Sequence, residues 1–494
     1  MLPDSQLLHD IISNSDRNRV SIVDKGETLT YGELSGRISA LAEYLIGECK
    51  LSKGERVAIF QKSDWRFVVA FYAIIKAGGI AVPVDYRSSQ RELEYIVENT
   101  EAALQFIDEE KKECASPYCR KTIFSNRKFD FPTAKGLSQW PSYDPDDPAV
   151  IFYTGGTTGF PKGVPLTHSN ILHVIRSLSS AWSLEKHSET FVQFLPMTHS
   201  GGFNCSMNTC LYNGGKAVFM EKFDPEALLD IIEERKATVV VGVPTVYSSL
   251  VKNTELSGRD LSSVKVFFSS GAKMQENIEN SFFLQTGKHI DIGWGLTEAS
   301  PQLTVAPLGT FRENYVGKPL PGTEIVSVDE AGRILPDGEQ GMLAARGPQV
   351  MSGYWKNGEK NLTVFTSGGY LITGDSGYVN HDGVYLLGRT KDVIISGGYK
   401  IWRAEVENTL MEHECVRETA VIGVKDPIYG ETVKAFVVPK CSTTKDEIVQ
   451  FCRGRISAYK VPRIVEFRTE LPKSSLGKIL HKLLESEENA SPDP

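Results

Sequence analysis

The chain has 494 residues, of which 41% are apolar and 23% charged, and its formal net charge is −8. A chain of this length exceeds what one hydrophobic core usually serves, so two to four domains are expected. The composition is that of an ordinary soluble globular protein, and the small acidic net charge argues against nucleic acid as the main partner.

Targeting and redox signals in the sequence indicate a cytoplasmic protein. The first residues, MLPDSQLLHDI, lack the basic start and apolar run of a secretory signal. The longest apolar stretch, residues 67–84, is interrupted by Lys76, Gly78, Gly79 and Pro83, so it is a poor membrane span. The eight cysteines contain no CxxC pair and no metal-type spacing, so we expect reduced thiols rather than disulfides or a metal site.

The first half of the chain alternates helix and strand patterns. Thr30 and Glu33 form a capping-box sequence, and apolar residues follow it at helical spacing. Asp224, Pro225 and Glu226 supply a cap, a first-turn proline and an acid, which together predict a helix start. Short buried-strand patterns occur at RVAIF, IAVPV, TFVQFLPM, KAVFM, TVVVGVP and VKVFFSS. Strands that alternate with helices in this way predict parallel sheets covered on both faces.

The later part of the chain has a different pattern. From about residue 316 to 390, short strands separated by glycine turns predict a β-rich subdomain. The predicted fold is therefore α/β, with a large N-terminal domain of stacked, mainly parallel sheets over residues 1–390. A small, mobile α+β domain is expected over residues 391–494. The tail after about residue 485, ESEENASPDP, is polar enough to predict disorder.

Residues 153–164, YTGGTTGFPKGV, have the composition of a phosphate-binding loop. Successive glycine N–H groups can form an anion-binding nest, threonine hydroxyls add donors, and Lys162 adds a cation. The segment follows an apolar strand pattern, so we expect it at the carboxyl end of a sheet, where ligands of α/β proteins bind. A surface turn is the alternative, but a turn requires neither three threonines nor the lysine. Pro161 and Gly163 flank the lysine, which excludes the loop that ends in Gly-Lys-Ser/Thr.

This segment resembles the phosphate loop of the adenylate-forming enzyme superfamily, which includes acyl- and aryl-CoA ligases, luciferases and peptide-synthetase adenylation domains. Further motifs resemble that family in its order and cover nearly the whole chain: LTYGEL (29–34), AGGIAVPVD (77–85), GWGLTE (293–298), YLITGD (370–375), GRTKDVI (388–394), GGYKI (397–401) and PKSSLGK (472–478). The resemblance implies an AMP-forming carboxylate–CoA ligase that uses ATP, Mg²⁺ and coenzyme A on a fatty or aryl acid.

The resemblance assigns residues to the phosphates and to the metal. Glu298 would bind magnesium, because a hard cation with few protein ligands suits one carboxylate beside phosphate oxygens. A solvated surface glutamate is the alternative. The residues implied to hold the β- and γ-phosphates are Thr154, Gly155, Gly156, Thr157, Thr158, Gly159 and Lys162.

Other residues would hold the nucleoside. Asp375 resembles the carboxylate that accepts both ribose hydroxyls, and Arg389 would also reach the ribose. An Asx turn beside Gly374 and a surface ion pair are the respective alternatives. Trp294 would stack on adenine or pack in the core. The remaining nucleotide-binding residues implied by the resemblance are Ser270, Gly271, Ala272, Gly293, Gly295 and Thr297.

The C-terminal motifs imply two steps. Lys478 would bridge the carboxylate and the α-phosphate during adenylation, where two anions approach each other, although a tail lysine is the alternative. Lys391 matches the family's hinge between the domains, and Gly397 and Gly398 would lie beside the pantetheine arm of coenzyme A. Arg403 stands where a proline is usual in the family, which leaves the local shape of the thiol channel open.

His199 resembles the aromatic gate of the acyl tunnel, although a lone histidine is often structural. The residues expected to line the acyl pocket are Gly201, Gly202, Phe203 and Asn204. Because an amide supplies no charge to pair with an ammonium group, an α-amino acid substrate is not expected.

Two other functions stay open from the sequence. One is a stand-alone adenylation enzyme that loads a carrier-protein thiol, and the other is a non-catalytic nucleotide-binding regulator. The presence of both Lys162 and Lys478 argues against the regulator, since a pure binding protein has no need of Lys478. The expected partners are a carboxylic acid, ATP and coenzyme A, without nucleic acid or a membrane-spanning segment, in a monomer or homodimer.

Overall fold

The computed structural model describes residues 7–126, 136–137, 140–154, 161–252, 256–389, 393–396, 399–426, 429–453, 455–456, 460–474 and 477–490. The chain divides into two compact units. The first contains Met1–Ile325 and Ala345–Ile372, and the second contains Val326–Ala344 and Thr373–Pro494. The predicted mixed α/β class, with a large N-terminal sheet domain and a small C-terminal domain, is confirmed. The predicted boundary at residues 390–391 lies outside the described residues and stays a prediction.

The first unit holds most of the helices and strands. Strands β1 to β15 are Val20–Asp24, Glu27–Thr30, Arg56–Phe60, Ile80–Pro83, Leu104–Asp108, Lys121–Ser125, Pro148–Thr154, Lys162–Thr167, Thr190–Gln193, Lys216–Phe219, Val239–Gly242, Val266–Ser269, Asp291–Trp294, Thr304–Val305 and Tyr315–Pro319. Helices α1 to α10 are Asp10–Ser13, Tyr31–Gly47, Trp65–Lys76, Gln90–Thr100, His168–Ala181, Thr209–Tyr212, Pro225–Arg235, Pro244–Val251, Glu276–Thr286 and Gly358–Val364. A π-helix covers Gly201–Asn208, and 3₁₀ turns cover Glu109–Cys114, Leu256–Gly258 and Thr297–Ala299.

Two sheets organise this unit. One has the strand order β6-β5-β3-β4-β7-β8, parallel except for β8, which runs antiparallel to β7. In the other, β1, β10, β9, β11, β12 and β13 are neighbouring parallel strands, and β2, β14 and β15 extend it by antiparallel pairing. The parallel arrangement agrees with the continuous apolar runs in these strands.

Helix α3 lies between the sheet that contains β3 and β4 and the π-helix. Its residues from Trp65 to Ile75 are all buried, as expected for a helix that is apolar all round. It contacts β3 and β4 on one side. On the other side Phe67 and Phe71 make edge-to-face contacts with Phe203 of the π-helix. This helix and strand β4 account for the apolar stretch noted in the sequence. Among the described helices, none is both long and apolar enough to cross a bilayer.

Predicted helix starts agree with the structure. The Thr30 side chain accepts a hydrogen bond from the Glu33 amide, and the Glu33 carboxylate accepts one from the Thr30 amide, which completes the capping box. Asp224 caps α7 in the same way through the amide of Ala227, with Pro225 in the first turn. Both helix starts are therefore set by local sequence.

The second unit contains strands β19 to β24 and most of β16, β17 and β18, whose outer residues belong to the first unit. Strands β16 to β24 are Glu324–Val328, Gly341–Arg346, Leu371–Asn380, Gly383–Arg389, Val393–Ser396, Tyr399–Trp402, Val416–Asp426, Gly430–Pro439 and Ile464–Phe467. Helices α11 to α13 are Arg403–Met411, Lys445–Arg453 and His481–Ala490. Strands β16, β17, β18 and β19 lie side by side in that order, and a separate sheet has the order β21-β20-β23-β22 with β24 paired to β23. Strands thus cover much of the stretch predicted to be β-rich.

The structure corrects two expectations in this unit. Cys415 and Cys441 form a disulfide with a Cα–Cα distance of 4.9 Å, so the prediction that all cysteines are reduced was wrong. The tail predicted to be disordered after about residue 485 is helical as far as Ala490. The helix begins at His481, its Leu484 just before the tail is completely buried, and Glu485 of the tail pairs with Arg403 at 2.5 Å. These contacts order a segment whose composition alone favours disorder.

Candidate functional site

The carboxyl ends of the parallel strands bring together segments that are distant in sequence. In the second sheet, β12 is followed by Ser270, and β13 leads into Thr297 and Glu298. Strand β9 of the same sheet leads towards His199 and Ser200. Because parallel strands end at one edge, these predicted site residues share that edge of the sheet. A hydrogen bond of 3.2 Å from the Ser200 hydroxyl to the Thr297 hydroxyl joins two of the segments directly.

The glycine–threonine segment connects two antiparallel strands. Strand β7 ends at Thr154 and β8 begins at Lys162, and these two residues face each other in the register. Strand β7 runs parallel to β4, so the glycine–threonine segment follows the carboxyl end of a parallel strand in the sequence. Gly155, Gly156, Thr157, Thr158 and Gly159 lie outside the described residues, so their role stays a prediction.

Lys162 and Glu298 meet at a third side chain, Tyr354. The Tyr354 hydroxyl donates a hydrogen bond of 2.7 Å to Oε1 of Glu298. The Nζ atom of Lys162 lies 5.2 Å from the centre of the Tyr354 ring, within range of a cation–π contact. Burial, together with the Glu298 charge and hydrogen bond, raises the pKa of the Tyr354 phenol well above its ordinary value. The phenol is therefore a permanent donor to the carboxylate at neutral pH.

Residues 348–355, which we call the strap segment, hold these groups in place through the main chain. The Met351 amide donates to the Glu298 carbonyl at 2.9 Å, and the Trp355 amide donates to the Gly163 carbonyl at 2.8 Å. The Asn170 side-chain amide donates to the Pro348 carbonyl at 2.6 Å. The strap segment thus links Gly163 in β8 with Glu298 in the 3₁₀ turn after β13.

The turn after β13 requires a glycine. A Cβ atom on Gly295 would lie 2.0 Å from the Pro301 carbonyl oxygen, a distance that no side chain can adopt without moving the main chain. A Cβ on Gly293 would lie 2.5 Å from the Phe268 ring. Both glycines, predicted as nucleotide-binding, therefore have a packing role in the structure, and their contact with a nucleotide stays a prediction.

The predicted adenine-binding residues lie at the same sheet edge. Ser270 directly follows β12, and its hydroxyl accepts a hydrogen bond of 2.9 Å from the Gln302 side chain. Gly271 has a φ of +84°, in the region that favours glycine. Trp294, the last residue of β13, is 5% exposed, which fits the core-packing alternative. Stacking of Trp294 on adenine stays a prediction.

His199 contacts a carboxylate that the sequence analysis did not single out as a site residue. Its Nε2 atom lies 3.5 Å from Oδ2 of Asp85, which follows β4 in the first sheet. Burial raises the pKa of the Asp85 carboxyl, but His199 and Arg87 outweigh burial and hold that pKa well below its usual range. Asp85 is therefore ionised and attracts the imidazole of His199. The gate role of His199 stays a prediction.

The segment predicted to line the acyl pocket is the π-helix Gly201–Asn208. Asn204 is completely buried, where its side-chain amide donates to the Ser300 carbonyl at 3.0 Å and its Oδ1 accepts from Asn208 at 2.8 Å. The Tyr72 hydroxyl donates to Asn208 in turn at 2.8 Å. A Cβ on Gly202 would lie 2.5 Å from the Pro196 carbonyl oxygen. π-helical turns often occur at functional sites, but contact of these residues with an acyl group stays a prediction.

The predicted ribose residues lie in the second unit. Asp375 in β18 is directly opposite Arg389 in β19, so the main chain places these two residues side by side. Asp375 is 6% exposed and follows Gly374, whose φ is +76°. The Asp375 amide donates to the Thr373 hydroxyl at 3.1 Å.

Lys478 also lies in the second unit, where its carbonyl accepts a hydrogen bond of 2.7 Å from the Ser474 amide. The Lys478 side chain is exposed. The residues predicted as hinge and thiol-channel positions, Lys391, Gly397 and Gly398, lie outside the described residues. Arg403, placed by the sequence near that channel, pairs with Glu485 of α13.

The donor set at Glu298 fits one hard cation that is also bound by a polyphosphate. Within the described ranges, no group of three or more His, Cys, Asp or Glu side chains could hold a metal. Glu298 is half-buried and offers a second carboxylate oxygen beyond the one bonded to Tyr354. Mg²⁺ commonly takes one or two carboxylates and completes its shell with phosphate oxygens and water. A metal carried with a nucleotide therefore matches this site, whereas an all-protein metal cage does not.

Two functional candidates, Tyr354 and Asp85, were missed by reasoning from the sequence. Tyr354 lies 56 residues from Glu298 along the chain, and only the hydrogen bonds of the strap segment reveal their contact. Asp85 ends the motif AGGIAVPVD, and its position directly after a buried strand was a usable signal.

Comparison with known proteins identifies relatives over nearly the whole chain. A sequence model of a family described as "AMP-binding enzyme" matches residues 12–355, and a model of its C-terminal domain matches residues 405–478. A long-chain-fatty-acid–CoA ligase of Bacillus subtilis is 35% identical over 520 aligned positions, covering 95% of this chain and 92% of the relative.

Solved structures are also similar. ATP-bound MatB from Rhodopseudomonas palustris has a TM-score of 0.92 at 28% identity, covering 98% of this chain and 99% of that one. An anthranilate CoA ligase in complex with anthranoyl-AMP has a TM-score of 0.90 at 27% identity, covering 99% and 98% respectively.

Proposed function

Because the chain belongs to the AMP-binding enzyme family, we propose that it ligates a long-chain fatty acid to coenzyme A through a fatty acyl-adenylate. The coarser activity follows from the relatives: the chain is an ATP-dependent, AMP-forming ligase of carboxylic acids and coenzyme A. The choice of a fatty acid rests on the identity to long-chain-fatty-acid–CoA ligases over 95% of the chain.

The reaction has two displacement steps. In the first, a carboxylate oxygen attacks the α-phosphorus of ATP, the α–β phosphoanhydride bond breaks, and pyrophosphate leaves. In the second, the thiol of coenzyme A gives its proton to water, the thiolate attacks the acyl carbon, and the bond between that carbon and the phosphate oxygen breaks as AMP leaves. Both steps depend on positioning and on charge stabilisation more than on covalent chemistry by the protein.

Lys162 and Glu298 are assigned to the phosphates and their metal. Lys162 supplies a cation at the start of β8, directly after the glycine–threonine segment. The proposed Mg²⁺ would neutralise phosphate charge, and Glu298 would hold it through the carboxylate oxygen that Tyr354 leaves available. The approach of Lys162 and Glu298 to a common tyrosine supports this assignment.

The nucleoside and the transferring group are assigned to other motifs. Asp375, with Arg389, is proposed to bind the ribose, and Ser270 with its neighbours is proposed to border the adenine. Lys478 is proposed to reduce the repulsion between the carboxylate and the α-phosphate in the first step. Lys391 is proposed as the hinge residue between the two half-reactions.

The acid-binding pocket is proposed to include the π-helix and His199. Residues 201–208 carry no ionisable acid or base other than the buried Cys205 thiol, so this segment offers no counter-charge to a charged acyl substituent. Burial raises the pKa of the Cys205 thiol to about 12, so this thiol is neutral at physiological pH. An uncharged, buried segment suits an aliphatic acyl chain better than an amino acid or a dicarboxylic acid.

The test is carboxylate-dependent exchange of labelled pyrophosphate into ATP, measured over acids of 4 to 18 carbons with benzoate, malonate and amino acids included. We expect exchange that rises with chain length, and thioester formation when coenzyme A is added. Exchange without thioester formation would favour loading of a carrier-protein thiol. The absence of exchange with every acid would overturn the proposed function.

A further inference from the structure

Tyr354 contacts the two side chains that the proposed function assigns to the phosphates and the metal. Its hydroxyl lies 2.7 Å from Oε1 of Glu298, and the face of its ring lies 5.2 Å from Nζ of Lys162. Lys162 begins β8 of one sheet, Glu298 lies in the 3₁₀ turn that follows β13 of the other sheet, and the two are separated by 136 positions in the chain. Tyr354 is therefore a physical link between them.

The main chain of Tyr354 is held independently of these contacts. The Tyr354 amide donates to Oδ1 of Asn361 at 2.8 Å, and the Tyr354 carbonyl accepts from Nδ2 of Asn361 at 3.0 Å. Gly353 precedes it with a φ of +152°, and a Cβ there would lie 3.0 Å from the Asn361 side chain. The direction of the Tyr354 side chain thus follows from a rigid local turn, so the ring can position its partners.

The hydroxyl of Tyr354 bonds to only one oxygen of the Glu298 carboxylate. A carboxylate has two oxygens and rotates freely about its last bond unless something fixes it. A donor on Oε1 fixes the plane of the carboxylate and leaves Oε2 for a cation. When a donor that is hydrogen-bonded to a metal ligand is removed, the affinity for the metal typically falls by about 10- to 100-fold.

We propose that Tyr354 is a positioning residue for adenylation: its hydroxyl orients the Glu298 carboxylate towards the nucleotide-bound Mg²⁺, and its ring orients the Lys162 ammonium group. This inference rests on the proposed function, since it takes the roles of Glu298 and Lys162 from there. The tyrosine itself need not touch substrate.

Two substitutions separate the hydroxyl from the ring. Tyr354→Phe keeps the ring under Lys162 and removes the bond to Glu298. We expect it to raise the Mg²⁺ concentration for half-maximal pyrophosphate exchange about tenfold, with the KM for ATP at saturating Mg²⁺ changed less than twofold. Tyr354→Leu removes both contacts and is expected also to raise the KM for ATP several-fold, because a cation–π contact contributes about 1 kcal/mol.

The chain offers a matched control. The Tyr370 hydroxyl donates to Oε2 of Glu324 at 2.7 Å, the same bond at the same length, and Glu324 is exposed and not assigned to the site. Tyr370→Phe should leave the Mg²⁺ dependence of exchange unchanged. If Tyr354→Phe and Tyr370→Phe gave the same Mg²⁺ dependence as the unmodified chain, the positioning role would be overturned.

A binding measurement provides a readout that does not depend on turnover. Mn²⁺ in place of Mg²⁺, with the α,β-methylene analogue of ATP, is titrated into the protein and free Mn²⁺ is measured by electron paramagnetic resonance. We expect Tyr354→Phe to weaken Mn²⁺ binding in this complex about tenfold and Tyr370→Phe to leave it unchanged. Equal affinities for Tyr354→Phe and the unmodified chain would overturn the inference.

Different results would contradict the proposed function and the positioning role of Tyr354. If the unmodified chain shows no carboxylate-dependent exchange, the proposed function fails. If that chain exchanges pyrophosphate normally while Tyr354→Phe retains the same Mg²⁺ and Mn²⁺ dependence, only the role of Tyr354 fails. Thermal unfolding of each variant separates a loss of positioning from a general loss of folded protein.

Discussion

In the proposed reaction, single side chains such as Lys162 would stabilise the negative charge of the phosphates. At about 4 Å and an effective dielectric constant near 20, one cation stabilises one phosphate charge by roughly 4 kcal/mol. Water and salt reduce this value for a half-buried group such as Lys162. Only the part of this stabilisation that is stronger in the transition state than in the ground state lowers the activation barrier.

Replacement of Lys162 by alanine tests this contribution. We expect kcat/KM for ATP in pyrophosphate exchange to fall about 100-fold, the usual cost of one lost electrostatic donor. Lys186 provides a matched control, since its ammonium group lies 3.5 Å from the centre of the Tyr212 ring and is not assigned to the site. Lys186→Ala should keep kcat/KM within about twofold, and an equal loss in both variants would contradict the role of Lys162.

At the scale of secondary-structure elements, a buried ion network lies at the start of α3 in the first unit. Arg66 is 5% exposed and contacts Asp64 at 2.5 Å and Asp108 at 2.8 Å. Asp64 also caps α3 through the Arg66 amide. Removing the shared cation would leave two buried carboxylates without their partner, which costs about 3–5 kcal/mol.

Arg66→Met should therefore lower the free energy of unfolding by about 3–5 kcal/mol in urea titrations. Arg333 forms an ion pair with Asp329 at 2.7 Å, but its side chain is 82% exposed. Arg333→Met should accordingly change stability by less than about 1 kcal/mol. A cost for Arg66→Met no larger than that for Arg333→Met would show that the buried network does not stabilise α3.

Elements with local signals were predictable from the sequence, whereas contacts between distant segments were not. The capping box at Thr30 and the proline start at Asp224 depend on neighbouring residues, and the structure has both. Helix α13 was missed because its order depends on burial of Leu484 and on the pairing of Glu485 with Arg403, 82 positions away. The composition of the neighbouring residues indicates neither of these two contacts.

The candidate site shows the same difference between local sequence signals and contacts of distant segments. Lys162 and Glu298 were candidates because their motifs are short and specific, and their roles in the site stay predictions. Tyr354 could not be singled out, because its partners Glu298 and Lys162 are distant in sequence and its own neighbours, Gly353 and Trp355, carry no catalytic signal. The disulfide between Cys415 and Cys441 was missed for the same reason: two isolated cysteines do not indicate which strands and turns place them together.

At the scale of the whole molecule, two buried histidines make stability depend on pH. Burial lowers the pKa of His168 to about 4 and that of His9 to about 3, and the His168 Nδ1 atom accepts a hydrogen bond of 3.2 Å from the Leu8 amide. Both histidines are neutral in the folded chain and acquire a proton on unfolding below pH 6.5. The unfolded state then binds more protons, so stability falls as pH falls from 6.5 towards 4.

His168→Asn isolates one of these protons, since the amide oxygen of asparagine can accept the Leu8 hydrogen bond without titrating. Between pH 7.5 and pH 5, the unmodified chain should lose about 2 kcal/mol more unfolding free energy than His168→Asn, from a shift of roughly 1.4 kcal/mol per pKa unit. Urea unfolding followed by tryptophan fluorescence at both pH values gives this difference. Parallel losses in the two proteins would show that His168 is not buried in the neutral form.

Of the two proposed steps, only the first brings two anions together, so a lysine that acts between them should matter for that step alone. Lys478→Ala should lower pyrophosphate exchange by about 100- to 1,000-fold, since the carboxylate and the α-phosphate then lack one positive charge between them. Thioester formation from supplied fatty acyl-adenylate and coenzyme A should stay within a few-fold, because the thiolate attacks a neutral acyl carbon. Lys482→Ala, on the adjacent helix α13, is the matched control and should affect neither step. An equal loss of exchange and thioester formation in Lys478→Ala would assign this lysine to folding or to general nucleotide binding instead of to the first step.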